Sequence, residues 1–145
     1  MAESLAPDDI VAIEQLLHRI AATADLAEDL TDYLDNLTED VTFEFAEVPA
    51  LGLAANTYTG RAATLAGAVE RRESGVQGPG SRTIHSVNDI VVTARGDDRA
   101  QVHAAWQYFG YRDGHPAVLA MGFYDNTVRR VGDRWLLERR VVTVL

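Results

Sequence analysis

Cysteine is absent from the 145-residue chain, which excludes disulfides, thiolate zinc sites and cysteine nucleophiles. No apolar run approaches the ~20 residues that a membrane-spanning helix needs. Basic residues are also scarce, because 13 Lys and Arg stand against 22 Asp and Glu, and the formal net charge is −9. Nucleic acids and anionic membrane surfaces require clustered positive charge, so we expect neither as a partner.

Two further absences concern targeting and metal binding. The N-terminus carries Glu3, Asp8 and Asp9 where a secretory signal would carry Lys or Arg, which predicts a cytoplasmic protein. No metal-ligand spacing joins the four histidines, which are His18, His85, His103 and His115. No motif asks for a metal or an organic cofactor, and we expect neither.

The residues that are present predict a globular chain that begins with an amphipathic helix. A hydrophobic fraction of 47% over 145 residues is ordinary for a globular protein and suits one domain over residues 1–145. Pro7, Asp8 and Asp9 favour a helix start. Apolar residues then recur at helical spacing until the helix ends near Asp25; they are Ile10, Ile13, Leu16, Leu17, Ile20 and Ala24.

The remaining pattern predicts further helices and then strands. A short helix is expected over 28–37, a strand over 41–45, irregular chain over 46–60, a helix over 61–73 and a glycine-rich loop, a candidate flap, over 75–80. Strand-like runs follow at 82–95, 99–112, 115–130 and 134–144, separated by turn signals such as Asp113-Gly114. This order predicts an α+β fold, in which helices pack on the concave face of a curved antiparallel sheet and leave a pocket between the layers.

Four parts of the chain together carry a family resemblance: 16–25, 37–43, 81–89, and 122–125 with 134–140. Their order resembles the SnoaL-like branch of the nuclear-transport-factor-2-like superfamily. That branch is similar to scytalone dehydratase, bile-acid dehydratases, polyketide cyclases and the β subunit of ring-hydroxylating dioxygenases. The resemblance implies a cone-shaped sheet and covers nearly the whole chain, but one fold hosts many functions.

The resemblance also implies site residues. In the dehydratases, an Asp near the end of the first helix and a His at the start of the following sheet serve catalysis, and these roles carry over onto Asp25 and His85. A Tyr on the first helix of those enzymes is matched here by Ile20, which removes a hydrogen-bond donor. A second His of scytalone dehydratase has Tyr108 at its cross-strand position.

Register arithmetic predicts which side chains share the inward face. A two-residue turn at 96–97 places His85 opposite Tyr108, whereas a turn one residue later places it opposite Gly110. Carrying the first register through the later turns gives the pairs Asp89 with Ala104, Val91 with Val102, Met121 with Trp106, and Asp125 with Arg140. The residues expected to contact a substrate are therefore Trp106, Asp89, Met121, Phe123 and Arg140. A one-residue bulge in any hairpin would reverse these faces.

Two functions fit these residues. The first is a cofactor-free dehydratase, isomerase or cyclase for a hydrophobic oxygenated small molecule, such as a polyketide or steroid-like compound. In it His85 moves a proton, Asp25 orients or charges His85, and Tyr108 donates to a carbonyl oxygen.

The second is a non-catalytic binding or scaffold module related to dioxygenase β subunits. In it an outer sheet face formed by Val118, Ala120, Gly122 and Tyr124 meets a partner. A homodimer suits both hypotheses. Both also leave open that His85 is a structural histidine bonded to backbone, and that Asp125 and Arg140 form a structural pair rather than an anchor for an anionic substrate.

Overall fold

Three α-helices and six strands follow one another in the computed structural model, which describes residues 4–145 and leaves Glu3 outside. Their bounds are α1 Pro7–Leu26, α2 Thr31–Asp35, β1 Leu37–Phe45, β2 Asn56–Thr59, α3 Arg61–Glu73, β3 Ile84–Ala94, β4 Arg99–Arg112, β5 His115–Val131 and β6 Arg134–Val144. A short 3-10 helix, Pro49–Leu51, lies between β1 and β2.

Helix α1 forms where the apolar spacing predicts it. Pro7 occupies its first turn, where no backbone N–H is needed, and Asp8 and Asp9 lie at its positive end. Its apolar stripe faces the sheet, with Ile13, Leu16, Leu17, Ile20 and Ala24 all buried. Burial of each larger side chain contributes about 1.5–3 kcal/mol, so this stripe fixes the helix against the sheet.

The sheet has the strand order β2-β1-β6-β5-β4-β3 in the described chain. Helix α1 packs against β3 and β6, which confirms the predicted α+β plan of helices on a curved sheet. One pairing differs from the expected antiparallel sheet, because β1 runs parallel to β6 and places Phe43 opposite Arg140. Strand β1 arrives from the helical layer rather than through a hairpin, so no turn forces it to run antiparallel.

Two elements before α3 also differ from the sequence prediction. Helix α2 covers only Thr31–Asp35, and β1 begins at Leu37 rather than at residue 41. The segment 46–60, expected to be irregular, contains the 3-10 helix and strand β2, which pairs antiparallel with β1. Threonine and tyrosine at 57–59 are good strand formers, and they gave the available signal for β2.

The first of three one-residue bulges lies in the β3–β4 hairpin. His85 lies opposite Tyr108 as predicted, but Asp89 and Ile90 together oppose Ala104, so that Val91 pairs with His103. Asp89 has a left-handed φ of 51°, and its side chain is exposed. The predictions that Asp89 and Val91 face inward are therefore wrong.

The second bulge lies in β5, where Leu119 is the extra residue between the pairs Phe109–Val118 and Tyr108–Ala120. This bulge reverses the faces of the rest of the strand. Met121 and Phe123 are 49% and 46% exposed, while Gly122 and Tyr124 are buried. The prediction that Met121 and Phe123 line a pocket is wrong, as is an outer face formed by Ala120, Gly122 and Tyr124.

The third bulge lies in β6, where Glu138 is the extra residue between the pairs Val128–Leu137 and Thr127–Arg139. It places Arg140 opposite Asn126 and leaves Asp125 opposite Val141. The predicted pair of Asp125 with Arg140 is therefore wrong. Asp125 instead contacts Gln101 and His103 on the exposed face, whereas Arg140 is buried.

Candidate active site

A cavity of about 720 Å³, including the space in its open mouth, lies between α1 and the concave face of the sheet. The wall is mostly apolar, with Ile20, Ala24, Phe43, Leu51, Leu53 and Val142 among its residues. The polar side chains in it are Tyr33, Arg71, Gln77, His85, Trp106, Tyr108, Tyr124 and Arg140. Such a lining suits a hydrophobic molecule with a few oxygen atoms.

The structure brings His85 and Asp25 together through two contacts. The backbone N–H of His85 donates to Oδ2 of Asp25 at 2.7 Å, and imidazole Nδ1 lies 2.8 Å from Oδ1. Asp25 is 3% exposed and His85 17% exposed, so the carboxylate lies behind the imidazole and the imidazole reaches the cavity.

This geometry assigns the protonation of the imidazole. An ionised carboxylate can only accept hydrogen bonds, so Nδ1 carries a hydrogen and donates it to Oδ1. The other ring nitrogen, Nε2, has no hydrogen-bond partner among residues 4–145. A neutral imidazole held in this way offers the lone pair of Nε2 as a base.

Arg72 fixes the end of α1 that carries Asp25. The last turn of α1 contains no basic residue. The guanidinium of Arg72, on α3, donates to the carbonyl oxygens of Thr23, Ala24 and Glu28 at 3.0–3.2 Å. A positive group at the negative end of a helix is stabilising, and here it also positions the carboxylate that holds His85.

Tyr108 lies beside His85, with ring centroids 4.5 Å apart, but its hydroxyl is already bonded. That hydroxyl donates to the carbonyl oxygen of Val76, and Thr83 Oγ1 lies 2.7 Å from it. Burial raises the pKa of Tyr108 to about 12, with the bond to Thr83 acting in the opposite direction. The expected donation from Tyr108 to a substrate carbonyl would therefore require loss of the bond to Val76.

The glycine-rich loop 75–80 forms part of the cavity wall through Val76 and Gln77. Gln77 is buried and accepts a hydrogen bond from Nε of Arg71 at 3.0 Å. Together with the bond from Tyr108 to Val76, this contact holds the candidate flap against the cavity.

Trp106 lies on the inward face of β4, as predicted, and lines the cavity. It is 4% exposed, and its Nε1–H has no acceptor among residues 4–145. Its ring stacks on Tyr124 with centroids 5.8 Å apart. An unpaired buried donor in a cavity wall is available to a ligand oxygen.

Several cavity residues escaped sequence reasoning. Tyr33, Arg71 and Tyr124 all line the cavity, and burial raises the pKa of both Tyr33 and Tyr124. Tyr124 was missed because the bulge at Leu119 reverses its face. Ile20 does line the cavity, so an apolar side chain stands at the position that the resemblance matches to a tyrosine.

Two features are absent from residues 4–145. No group of three or more His, Asp or Glu side chains is arranged there to hold a metal ion. None of the helices in that part of the chain is long and apolar enough to cross a membrane.

Comparison with known proteins identifies relatives of this fold. A family model described as the SnoaL-like domain matches residues 7–141. No curated protein matches the chain. An NTF2-like protein with a cystatin-like fold from Novosphingobium aromaticivorans is 24% identical, with a TM-score of 0.75, and the match covers 95% of this chain and 82% of that chain.

Two further solved structures from Novosphingobium aromaticivorans carry functional descriptions. A provisionally assigned scytalone dehydratase is 19% identical with a TM-score of 0.73, over 95% of this chain and 85% of that chain. The β subunit of a provisionally assigned aromatic-ring-hydroxylating dioxygenase is 17% identical with a TM-score of 0.76, over 97% and 92% of the two chains. At these identities the likeness shows the fold alone.

Proposed function

The chain belongs to the SnoaL-like domain family, and we propose that it is a cofactor-free acid/base enzyme acting on a hydrophobic oxygenated small molecule. The observation that carries the proposal is the contact of His85 Nδ1 with Asp25 Oδ1 at 2.8 Å at the edge of an apolar cavity. The cytoplasm is the proposed location of the protein.

The proposed reaction begins with proton abstraction from a carbon next to a carbonyl. Nε2 of His85 takes the proton, the C–H electron pair moves into an enolate, and Asp25 stabilises the imidazolium that forms. The imidazolium then returns the proton, either to another carbon or to a leaving hydroxyl that departs as water. The first outcome is an isomerisation and the second a dehydration. If the enolate carbon instead attacks a second carbonyl, that C=O π bond breaks, and the resulting alkoxide takes the proton from the imidazolium, which completes a cyclisation.

Trp106 is the donor that we propose for the enolate oxygen, in place of Tyr108. Trp106 lies opposite Val87, so it is a diagonal neighbour of His85 on adjacent strands. Its Nε1–H is buried without an acceptor, whereas the hydroxyl of Tyr108 is bonded to Val76. A preorganised donor at a developing oxyanion is worth about 10²–10³ in rate.

Hydrogen–deuterium exchange of 2-tetralone tests the proton transfer directly. NMR follows loss of the α-carbon proton signals in D₂O with wild-type protein and with His85→Gln. We expect His85→Gln to lower the catalysed exchange rate by about 10²–10⁴-fold, and Trp106→Phe to lower it by about 10²-fold. His103→Gln is the matched control, because His103 lies on the exposed face with 68% of its side chain accessible. Equal exchange rates for wild type and His85→Gln would refute the proposal.

A second candidate function is assembly as a homodimer through the outer face of the sheet. Ile84, Phe109 and Val118 form an exposed apolar row across β3, β4 and β5, and Met121 and Phe123 continue it along β5. In a chain of net charge −9, two copies repel each other except where such an uncharged patch meets its equivalent. One relative is described as a subunit, which also supports an assembly role.

Light scattering after size exclusion tests the assembly proposal. We expect a dimer for the wild-type protein and a monomer for Phe109→Glu, with unchanged circular dichroism. Val131→Glu is the control, because Val131 is 45% exposed at the β5–β6 turn, away from this row. A wild-type monomer would count against an interface between copies and would leave the enzyme proposal intact.

A further inference from the structure

The wall of the cavity is positively charged, although the whole chain is acidic. Two arginines, Arg71 and Arg140, line the cavity, and no Asp or Glu side chain does so within the described chain. Asp25 lies behind His85 rather than in the wall. The described part of this acidic chain therefore presents no carboxylate to the cavity.

Arg140 has no carboxylate partner among residues 4–145, in contrast to its neighbour Arg139, which pairs with Glu44 at 2.9 Å. It is 5% exposed and lies over the ring of Tyr124, with Cζ 3.9 Å from the centroid. Its Nη2 is buried without any hydrogen-bond acceptor. Burial lowers the pKa of Arg140, but a guanidinium keeps its proton at neutral pH, so the charge stays uncompensated.

Asn126 aims this guanidinium. The side chain of Asn126 is fully buried on β5, directly opposite Arg140. Its Oδ1 accepts Nε–H of Arg140 at 2.6 Å, while its Nδ2 donates to the carbonyl oxygen of Val102 at 3.0 Å. Because both ends of the Asn126 amide are bonded, Asn126 holds the guanidinium of Arg140 at Nε. The other end of the guanidinium, Nη1 and Nη2, has no hydrogen bond to the described chain.

We infer that the substrate carries a carboxylate, which binds the Nη1–Nη2 fork of Arg140 while His85 acts on another part of the molecule. Two parallel N–H groups match the two oxygens of a carboxylate. The guanidinium of Arg140 carries one positive charge, which neutralises a carboxylate but only half the charge of a phosphate dianion. Arg140 on β6 lies three strands from His85 on β3, so the acid group and the reacting carbon are separate. That a bound carboxylate belongs to a substrate rests on the proposed acid/base function, whereas binding of a carboxylate at Arg140 does not.

Arg71 is the competing anion site, and its surroundings favour it less. Its Nε is bonded to Gln77, and its guanidinium lies over Phe45 with Cζ 5.2 Å from the ring centroid. Arg71 is also less buried than Arg140 and lines the neighbouring groove. Water can therefore solvate Arg71, whereas Arg140 has a buried nitrogen without an acceptor.

The test compares two probes of nearly the same size and shape, the anion 2-naphthoate and the neutral 2-naphthamide, by isothermal titration calorimetry at pH 7. We expect the wild-type protein to bind 2-naphthoate at least 10-fold more tightly than 2-naphthamide. Arg140→Met should abolish this preference, while Arg71→Met should keep it. Wild-type protein that binds neither probe or both equally overturns the inference, and so does a preference that survives in Arg140→Met.

Two variants keep the test interpretable. Arg140→Lys keeps the positive charge but not the fork of two N–H groups, so it should reduce the preference for 2-naphthoate. It takes the place of Arg140→Met if near-ultraviolet circular dichroism shows that Arg140→Met does not fold. An undiminished preference in Arg140→Lys contradicts binding by the fork. His85→Gln should keep the preference while losing exchange of 2-tetralone. If wild-type protein catalyses exchange of 2-tetralone but does not prefer 2-naphthoate, the carboxylate site alone is refuted. If wild-type protein prefers 2-naphthoate but does not catalyse exchange, the catalytic proposal alone is refuted.

Discussion

Both carboxylate oxygens of Asp25 are occupied by His85, one by its backbone N–H and the other by its imidazole Nδ1. The same residue therefore fixes the position of the strand and the orientation of the ring. The two contacts join the end of α1 to the start of β3, 60 residues apart in the chain. Fold and candidate chemistry depend here on a single side chain, which makes its substitution informative.

Asp25→Asn should damage both stability and proton transfer. An amide cannot accept from two N–H donors with its two ends, so one of the contacts is lost or the imidazole changes tautomer. We expect the free energy of unfolding in urea to fall by about 2 kcal/mol and the exchange rate of 2-tetralone to fall at least 10²-fold. Long-range ¹⁵N NMR shows whether the hydrogen of His85 has moved from Nδ1 to Nε2. An unchanged tautomer together with an unchanged free energy of unfolding would contradict this account.

Arg72→Met should destabilise the helix end that carries Asp25. The variant removes a cation that bonds three carbonyl oxygens at the end of α1. Because Arg72 is partly exposed, we expect a loss of only about 1–2 kcal/mol in the free energy of unfolding. Arg95→Met is the control, since the side chain of exposed Arg95 bonds the adjacent carbonyl of Ala94 rather than a helix end, and it should change stability by less than about 0.5 kcal/mol. Equal losses for the two variants would show that capping is not the cause.

Gly122→Ala should destabilise the sheet by sterics. A Cβ at Gly122 would overlap the carbonyl of Thr143 on β6. Backbone cannot move aside as a flexible side chain can, so we expect a loss of about 3 kcal/mol. Gly132→Ala tests the alternative of backbone strain, because Gly132 has φ +64° with open space around it and should lose only about 1–2 kcal/mol. A smaller loss at Gly122 than at Gly132 would contradict the close approach of β5 and β6.

Asp9→Asn should remove stability that depends on pH. Oδ1 of Asp9 accepts the indole N–H of Trp135 at 3.0 Å and a guanidinium N–H of Arg130 at 2.8 Å. The bond from Trp135, followed by the contacts with Arg130, lowers the pKa of Asp9 in the folded protein. The stabilisation by this carboxylate is therefore present at pH values above the pKa of Asp in the unfolded chain, about 3.9, and is lost as the pH falls below it.

Urea titrations at several pH values, followed by tryptophan fluorescence, check this expectation. Wild type should be more stable than Asp9→Asn at pH 6, and the difference should shrink as pH falls below about 3.9. Asp8→Asn is the control, because Asp8 shares the first turn of α1 but has no bond to Trp135. A difference that stays constant down to pH 2.5 would rule out titration of Asp9 as its origin.

The boundaries of the last four strands could be predicted to within about two residues because they depend on local chemistry. The turns at 96–98, 113–114 and 132–133 each contain glycine with aspartate. The first is one residue longer than the predicted two-residue turn, because the N–H of Arg95 donates to the carbonyl of Arg99. The helix α3 was predicted with its observed bounds, Arg61–Glu73. The contact of Asp25 with His85 came from the family resemblance. No local pattern joins residues 60 positions apart, so composition and periodicity alone could not have found it.

The inward faces could not be predicted because each later hairpin contains a bulge. The extra residues at Leu119 and Glu138 have no turn chemistry, and they depend on how the sheet curves around α1. The bulge in β3 had a weak sequence signal in Asp89, since aspartate tolerates a left-handed φ. The bulge at Glu138 is also why Arg140 was predicted to pair with Asp125. The burial of Arg140 and the missing acceptor at Nη2, which indicate a ligand site, depend on this changed register.

The parallel pairing of β1 with β6 has a consequence for synthesis of the protein. Leu37 pairs with Leu137, so 100 residues, from 37 to 137, separate the partners. At about 5–20 residues per second, the ribosome needs about 5–20 s to make that stretch. During this time the apolar stripe of α1 and one edge of β1 lack their final partners. The nascent chain is therefore a candidate for chaperone binding at its N-terminal third, because the strand order delays burial of these surfaces.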